Sequence, residues 1–361
     1  MNICERKEVR NTTKVFDMKN TKHKIQIANI LLTRRCNLQC DYCNIVKNYT
    51  GRPSEYKDMN YLRSTEFPAT EWSKVFDRIH KNNPGCFFIL YGGEPLLHPD
   101  IINIIKYMKD NFYPHTIISN NTPVVRKRIE EVYKTIGTLP GFTASIDPEL
   151  CLYLDKKNVT QNDAIKKSIA GFEYLKYLKE NGLADDVVAE ITVSNSNINY
   201  LYETVKILTK NDIHASITTI DDQKSRYYDF SNIIANSDLM VKPDSKTRMI
   251  FDQIQNDKSL KVHMSPLLDE LFNVLPANMA CDIYKDIHNV TVDSDMTFRL
   301  CLRIAGVECG KIKVTDGIDE NGVITDKMLQ AFECDYKKYC QKCNWTCMLM
   351  SKYFSDRIVT H

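Results

Sequence analysis

The 361-residue sequence has no run of ~18 uncharged apolar residues, which excludes a membrane-spanning helix. Its first 24 residues, MNICERKEVRNTTKVFDMKNTKHK, lack the apolar core of a signal peptide, so a cytoplasmic protein is expected. Charge of one sign is also missing: the formal net charge is +2, with 26% charged and 43% apolar residues. That balance describes an ordinary globular chain without the basic excess of a nucleic-acid binder, and it names no partner. The basic residues of the N-terminal arm (Arg6, Lys7, Arg10, Lys14, Lys19 and Lys22) read as a solvated terminus. No internal repeat or low-complexity tract is present beyond an alternation of strand-like and helix-like segments.

Cysteine, by contrast, is abundant. Thirteen cysteines in a reducing compartment are poor disulfide candidates, and both their odd number and their clustering point to metal ligation. The chain is also longer than the ~250–300 residues at which single cores tend to split, so one large unit and a smaller one are expected.

Expected strands run over Ile25 to Leu32, Cys86 to Tyr91, Thr116 to Ser119, Phe142 to Ile146, Val187 to Val193 and Ile213 to Thr219. Amphipathic helices lie between them. Trp72, Val75, Phe76 and Ile79 recur at helical spacing behind Thr70, read as an N-cap, and Ile101, Ile104, Ile105 and Met108 repeat the pattern. Ile165, Ile169, Phe172 and Leu175 or Lys176 mark a third helix, Leu201, Val205 and Leu208 a fourth, and Val124 to Ile136 a shorter one. Six βα units with such short connections imply parallel strands joined by right-handed crossovers. The predicted fold class is α/β: a partial (βα)6 TIM-like barrel over residues 25–222, after an N-terminal arm at 1–24. A helical connection over 223–276, with helices at Lys246 to Gln255 and Pro266 to Leu275, leads to a small α+β cysteine-rich domain at 277–361.

The first cysteine cluster, CNLQCDYC, follows the first strand and so sits at that strand's C-terminal end, where barrel enzymes build their sites. Cys36, Cys40 and Cys43 supply three thiols on one loop. Three ligands anchor three irons of a 4Fe-4S cluster and leave the fourth open for an exogenous group. The spacing C-x3-C-x-aromatic-C, with Tyr42 as the aromatic residue, resembles the signature of the radical SAM superfamily. Gly92-Gly93-Glu94-Pro95, after the second strand, resembles that family's GGEP motif. The resemblance implies a SAM-binding 4Fe-4S cluster on the three cysteines and S-adenosylmethionine on its open iron. Gly92, Gly93 and Glu94 would line the methionyl amino group, and glycine suits a close main-chain approach to a ligand. Ser119, Asn120, Ser145 and Asp147, at the ends of the third and fourth strands, resemble positions that touch the ribose and carboxylate of SAM. Glu190, Ser194 and Asn195 on or after the fifth strand are further candidates for that face. The competing reading of the cysteine triplet is half of a zinc site.

A second cluster follows downstream. Cys281 precedes HNVTVDSDMTFRLC, which reads as a hairpin turning at Asp293-Ser294-Asp295 and ending at Cys301. Cys340, Cys343 and Cys347 come later, in YCQKCNWTCMLM. This arrangement resembles the twitch domain, the shorter relative of the SPASM extension, and implies one auxiliary 4Fe-4S cluster on Cys281, Cys301, Cys340 and Cys343, with Cys347 competing for the last place. The family pattern has glycine five residues before the second cysteine, where this chain has Met296, so a different turn is expected. Four cysteines at these spacings also suit tetrahedral zinc. Cys86 in a strand and Cys151 in an apolar patch read as inert packing.

The resemblance implies reductive cleavage of SAM to a 5′-deoxyadenosyl radical, abstraction of a substrate hydrogen atom, and an electron donor of the flavodoxin or ferredoxin type. A small molecule such as a sugar, aminocyclitol or nucleoside is the expected substrate, with a ribosomally made peptide as the alternative. A non-catalytic iron-sulfur or zinc protein is the reading from outside the enzyme class. The tyrosine-rich segment from Lys47 to Ala69 is the candidate lid or substrate wall, or a plain surface excursion.

Overall fold

The computed structural model describes residues 24–38, 40, 43, 45, 59–64, 66–154, 163–220, 238–239, 241–242, 244–263, 289–300 and 312–331. The elements run in the order β1 (Ile27–Thr33), α1 (Met59–Ser64), α2 (Ala69–Asn82), β2 (Phe87–Gly92), α3 (Ile101–Asp110), β3 (His115–Ser119) and α4 (Pro123–Ile136). They continue with β4 (Leu139–Ile146), α5 (Leu150–Leu154), α6 (Asp163–Glu180), β5 (Ala184–Val193), α7 (Leu201–Lys210), β6 (His214–Thr219) and α8 (Ser245–Asn256). Two short strands and a hairpin strand complete the sheet: β7 (Val262–His263), β8 (Asn289–Val292) and β9 (Phe298–Arg299). The sheet order is β7-β6-β5-β4-β3-β2-β1-β8-β9, parallel at every pairing except β8 with β9. This is an α/β fold with a largely parallel sheet, open at its edges as in a partial barrel.

Strand alternation gives the sheet two unlike faces. Ala28, Ile30 and Leu32 of β1, Phe88 and Leu90 of β2, and Phe142, Ala144 and Ile146 of β4 are buried on the face that carries the helices. Against them α2 sets Trp72, Val75, Phe76 and Ile79, and α3 sets Ile101, Ile104, Ile105 and Met108, as their spacing predicts. Phe76 meets Phe88 edge-on at 5.4 Å between ring centroids. Each such fully buried aromatic side chain contributes roughly 2–3 kcal/mol. The opposite face, with Asn29, Tyr91, Thr116, Thr143, Ser145 and Glu190, lines the concave side.

The structure corrects several sequence expectations. Thr70 lies inside α2; the cap position belongs to Pro68, and the carboxylate of Asp100 accepts the Ala69 amide at 3.0 Å, a contact from the next βα unit. β4 begins at Leu139, upstream of the expected Phe142, because Leu139 pairs with Ala184 and Gly141 with Asp186, which overrides the turn character of Pro140-Gly141. The predicted hairpin forms, and its first strand adds in parallel to β1, pairing Ala28 with Val290 and Ile30 with Val292. The barrel sheet thus continues into the hairpin. Met296, at the place where the family pattern has glycine, takes φ 62°, a left-handed conformation that glycine adopts more readily. The domain boundaries expected at 222/223 and 276/277 and the helix expected over 266–275 fall outside the described residues.

Candidate active site at the strand ends

β1 ends at Thr33, and the chain then turns through Arg34 and Arg35 into Cys36, Cys40 and Cys43, all three half-buried. The Cys43 amide donates to the Cys40 carbonyl at 3.1 Å, a tight local turn. The Leu38 amide donates to the Cys36 sulfur at 3.4 Å. Burial pushes the Cys36 thiol up to about 11, with Glu94, Cys43 and Cys40 adding to it and the Leu38 amide opposing. Three sulfurs thus share one turn, and the buried Cys36 thiol resists ionisation until a bound cation draws it out as a thiolate. The donor set fits an iron-sulfur cluster in that sense.

The end of β2 is stitched to this loop. The Gly93 amide donates to the Thr33 carbonyl at 2.8 Å and the Glu94 amide to the Arg35 carbonyl at 2.7 Å. A Cβ on Gly92 would stand 2.3 Å from the Thr33 oxygen, and one on Gly93 would stand 2.2 Å from the Arg35 oxygen. In the structure the glycines permit close approach of two backbones, a constraint that exists whether or not a ligand is near.

Glu94 is fully buried and caps the short 3-10 helix Pro95–Leu97, accepting the Leu96 amide at 3.2 Å. It also accepts the Ser119 hydroxyl at 3.0 Å and the Asn120 amide at 2.8 Å. Its carboxylate therefore joins the ends of β2 and β3. Asn120 in turn reaches the cysteine loop, its Nδ2 donating to Asn37 Oδ1 at 2.9 Å and lying 3.7 Å from the Cys36 sulfur. Asn37 donates to the Thr122 hydroxyl at 2.7 Å. Thus Cys36, Gly92, Gly93, Glu94, Ser119 and Asn120 form one hydrogen-bonded unit across three strand ends. Ser145 sits on the concave face two strands away, and Asp147 accepts the Ser168 hydroxyl at 2.7 Å. Tyr42, Cys281, Cys301, Cys340, Cys343 and Cys347 lie outside the described residues, as does most of the segment expected to form a lid.

Two ion-pair systems brace the cysteine loop, and the sequence reading passed over both. Arg35 clamps Glu66 through Nε and Nη2, each at 2.8 Å, and Thr33 donates to the same carboxylate. Arg34 bonds Asp293 at the hairpin turn, and Arg299 bonds the same oxygen at 2.8 Å, with side chains nearly or wholly buried. Burial alone would raise the Asp293 carboxyl; Arg34 and Arg299 outweigh it and hold it below the ordinary range. No local pattern signals a pair separated by 259 residues. Cys86 is fully buried and its thiol is pushed far up by desolvation, in keeping with inert packing.

Comparison with known proteins agrees with this arrangement. The sequence profile of the Radical SAM superfamily matches residues 30–208, which span β1 through most of α7. An S-adenosylmethionine-dependent nucleotide dehydratase of Selenomonas ruminantium is 23% identical over 136 residues, covering 37% of this chain and 44% of that protein. The match thus spans less than half of the relative's length. Streptococcus suis SuiB bound to S-adenosylmethionine superposes with a TM-score of 0.60 at 15% identity, over 86% of this chain and 68% of that one. The anSMEcpe enzyme with bound AdoMet and Cp18Cys peptide gives 0.54 at 15% identity, over 90% and 87%. At such identities the structural likeness establishes the fold. With the triplet of cysteines, the glycine-stitched strand end and the matched profile in one place, the chain belongs to the radical SAM superfamily.

Proposed function

We propose that the chain cleaves S-adenosylmethionine reductively and uses the resulting radical on a small, hydroxyl-bearing substrate held against the concave face of the sheet. The observation that carries the reading is the single hydrogen-bonded unit that ties Cys36 on the β1 loop to Glu94 after β2 and to Asn120 after β3. When bound on Cys36, Cys40 and Cys43, a 4Fe-4S cluster supplies the electron that splits SAM into methionine and the 5′-deoxyadenosyl radical.

The chain's own residues do the holding. Gly92 and Gly93 fix the β2 end against Thr33 and Arg35, Glu94 fixes the β3 end against β2, and Asn120 steadies the cysteine loop. Ser145 and Asp147 stand farther along the same rim for the ribose end of SAM. The apolar helix face behind the sheet keeps water from reaching the site from the rear.

Similarity to a nucleotide dehydratase supports a nucleotide-like substrate over a sugar or aminocyclitol without a base. The second reading, a peptide substrate, draws on SuiB and anSMEcpe, whose structures include complexes with peptides. We also infer one auxiliary 4Fe-4S cluster on Cys281, Cys301, Cys340 and Cys343 or Cys347, and an electron donor of the flavodoxin or ferredoxin type. The bracing of the hairpin against β1 through Asp293 supports the auxiliary site, because it fixes the strand that leads to Cys301. The test is anaerobic reconstitution with iron and sulfide, followed by SAM and dithionite. The parent should form 5′-deoxyadenosine and methionine, and the Cys36→Ala, Cys40→Ala and Cys43→Ala variants should form neither. Persistence of the products in all three variants overturns the proposal.

A further inference from the structure

The concave face changes character along the sheet. On β1 to β3 it carries Leu31, Ile89, Tyr91 and Ile118 alongside Asn29 and Thr116, whereas β4 to β7 present Ser145, Glu190, Ser216 and His263 in one continuous register. Ser145 is paired with Glu190, Glu190 with Ser216, and Ser216 with His263. Inward residues lie two apart along each strand, so Thr143 and His214 flank this row on one side and Thr192 and Thr218 on the other. His214 Nδ1 and His263 Nε2 lie 3.3 Å apart at the β7 end.

Glu190 is the acidic member of that row. The outward neighbours Ala189 and Ile191 are fully buried under the helices, which leaves Glu190 directed to the concave side, where it is half-buried. Burial raises its carboxyl from 4.5 to about 7, and the neighbouring hydroxyls of Ser216 and Thr218 oppose that shift by favouring the ionised form. The other titratable groups on the neighbouring strands are His214 on β6, His263 on β7 and Asp147 beyond the end of β4. A desolvated acid on a concave face, beside hydroxyls of the adjacent strand, is arranged to meet a ligand and does little for the fold.

We propose that Glu190, flanked by Ser216 and Thr218 on the adjacent strand, is the residue that selects the substrate by accepting hydrogen bonds from a vicinal diol of the ribose type. Ser145 beside it borders the ribose end of SAM, and Ile89 and Tyr91 on the same face receive the less polar part of the substrate. A carboxylate accepts from two adjacent hydroxyls at once, a geometry that neither a peptide backbone nor an apolar side chain offers. The assignment rests on the proposed function, since it places a small substrate in the same concavity.

The experiment measures equilibrium binding to the reconstituted full-length protein under anaerobic conditions in the presence of SAM. The probes are the four common ribonucleoside triphosphates, each with its 2′-deoxy and 3′-deoxy counterpart. At least one ribonucleotide should bind the parent, and Glu190→Gln should weaken it tenfold or more, as loss of a hydrogen bond to a charged group does. The same variant should no longer distinguish the ribonucleotide from its deoxy counterparts, and Ser216→Ala should give a smaller loss in the same direction. SAM itself should bind Glu190→Gln and the parent equally. Equal ribonucleotide affinity in variant and parent, no binding by any probe, or a tenfold loss of SAM affinity each overturns the assignment. Formation of 5′-deoxyadenosine by the parent with SAM and dithionite, without any added substrate, reports on the proposed function separately, so the two ideas fail independently.

Discussion

Glu190 offers a test that needs neither substrate nor cluster. Burial in the folded chain moves its carboxyl from 4.5 to about 7, against the pull of Ser216 and Thr218. Because the folded value lies above the unfolded one, the folded state binds the proton more tightly. The stability linked to this group is complete below pH 4.5 and is lost as the pH rises through about 7. At roughly 1.4 kcal/mol per pH unit the loss comes to about 3 kcal/mol, and about 2 is the fairer figure for a group that water partly reaches. Glu190→Gln keeps the shape and removes the charge. It should therefore be more stable than the parent by about 2 kcal/mol at pH 8, corresponding to a melting temperature higher by a few degrees. Near pH 4.5 the two proteins should be equal. Thermal and urea unfolding of the metal-free, reduced protein across pH 4.5 to 8.5 measures this directly. A variant less stable than the parent at pH 8, or a difference that does not change with pH, refutes the reasoning. The predicted gain in stability with loss of binding is the trade expected where function retains an unfavourable group.

Three other outcomes follow from the geometry. Asp293→Ala strands the guanidinium groups of Arg34 and Arg299 in a buried setting and should destabilise the protein by about 3–5 kcal/mol, read from urea unfolding. Met296→Gly relieves a left-handed methionine, worth about 1 kcal/mol, but gives up a buried side chain worth about 2–3. Packing should win, leaving a net loss of about 1–2 kcal/mol in the same assay. Phe76→Ala should cost about 3–5 kcal/mol, because its ring is fully buried against Phe88.

Much of the fold was legible because its signals are local. The buried faces of α2 and α3 follow from residues one helical turn apart, and β1 to β6 from short apolar runs between turn residues. What escaped is what depends on distant partners. The union of β8 with β1, the Arg34–Asp293 pair and the Asp100 cap of α2 each join segments that no window of sequence places together. The site divides the same way. The cysteine triplet and the Gly92-Gly93-Glu94 motif stood out as patterns, yet the physical work of the motif is visible only in three dimensions. Glu94 spends its carboxylate on Leu96, Ser119 and Asn120, and the glycines admit the backbone of Thr33 and Arg35. Met296 shows the reverse case: the residue departs from the family pattern, yet its backbone is left-handed, as glycine would allow.

The central claim is that Cys36, Cys40 and Cys43 hold an iron-sulfur centre with one iron open to SAM. Electron paramagnetic resonance of the anaerobically reconstituted and reduced protein, recorded with and without SAM, tests it most directly. A signal of a reduced 4Fe-4S cluster that changes on addition of SAM, and that is missing from a variant with all three cysteines replaced by alanine, is the predicted result. A signal indifferent to SAM, or one unchanged in that variant, contradicts the account.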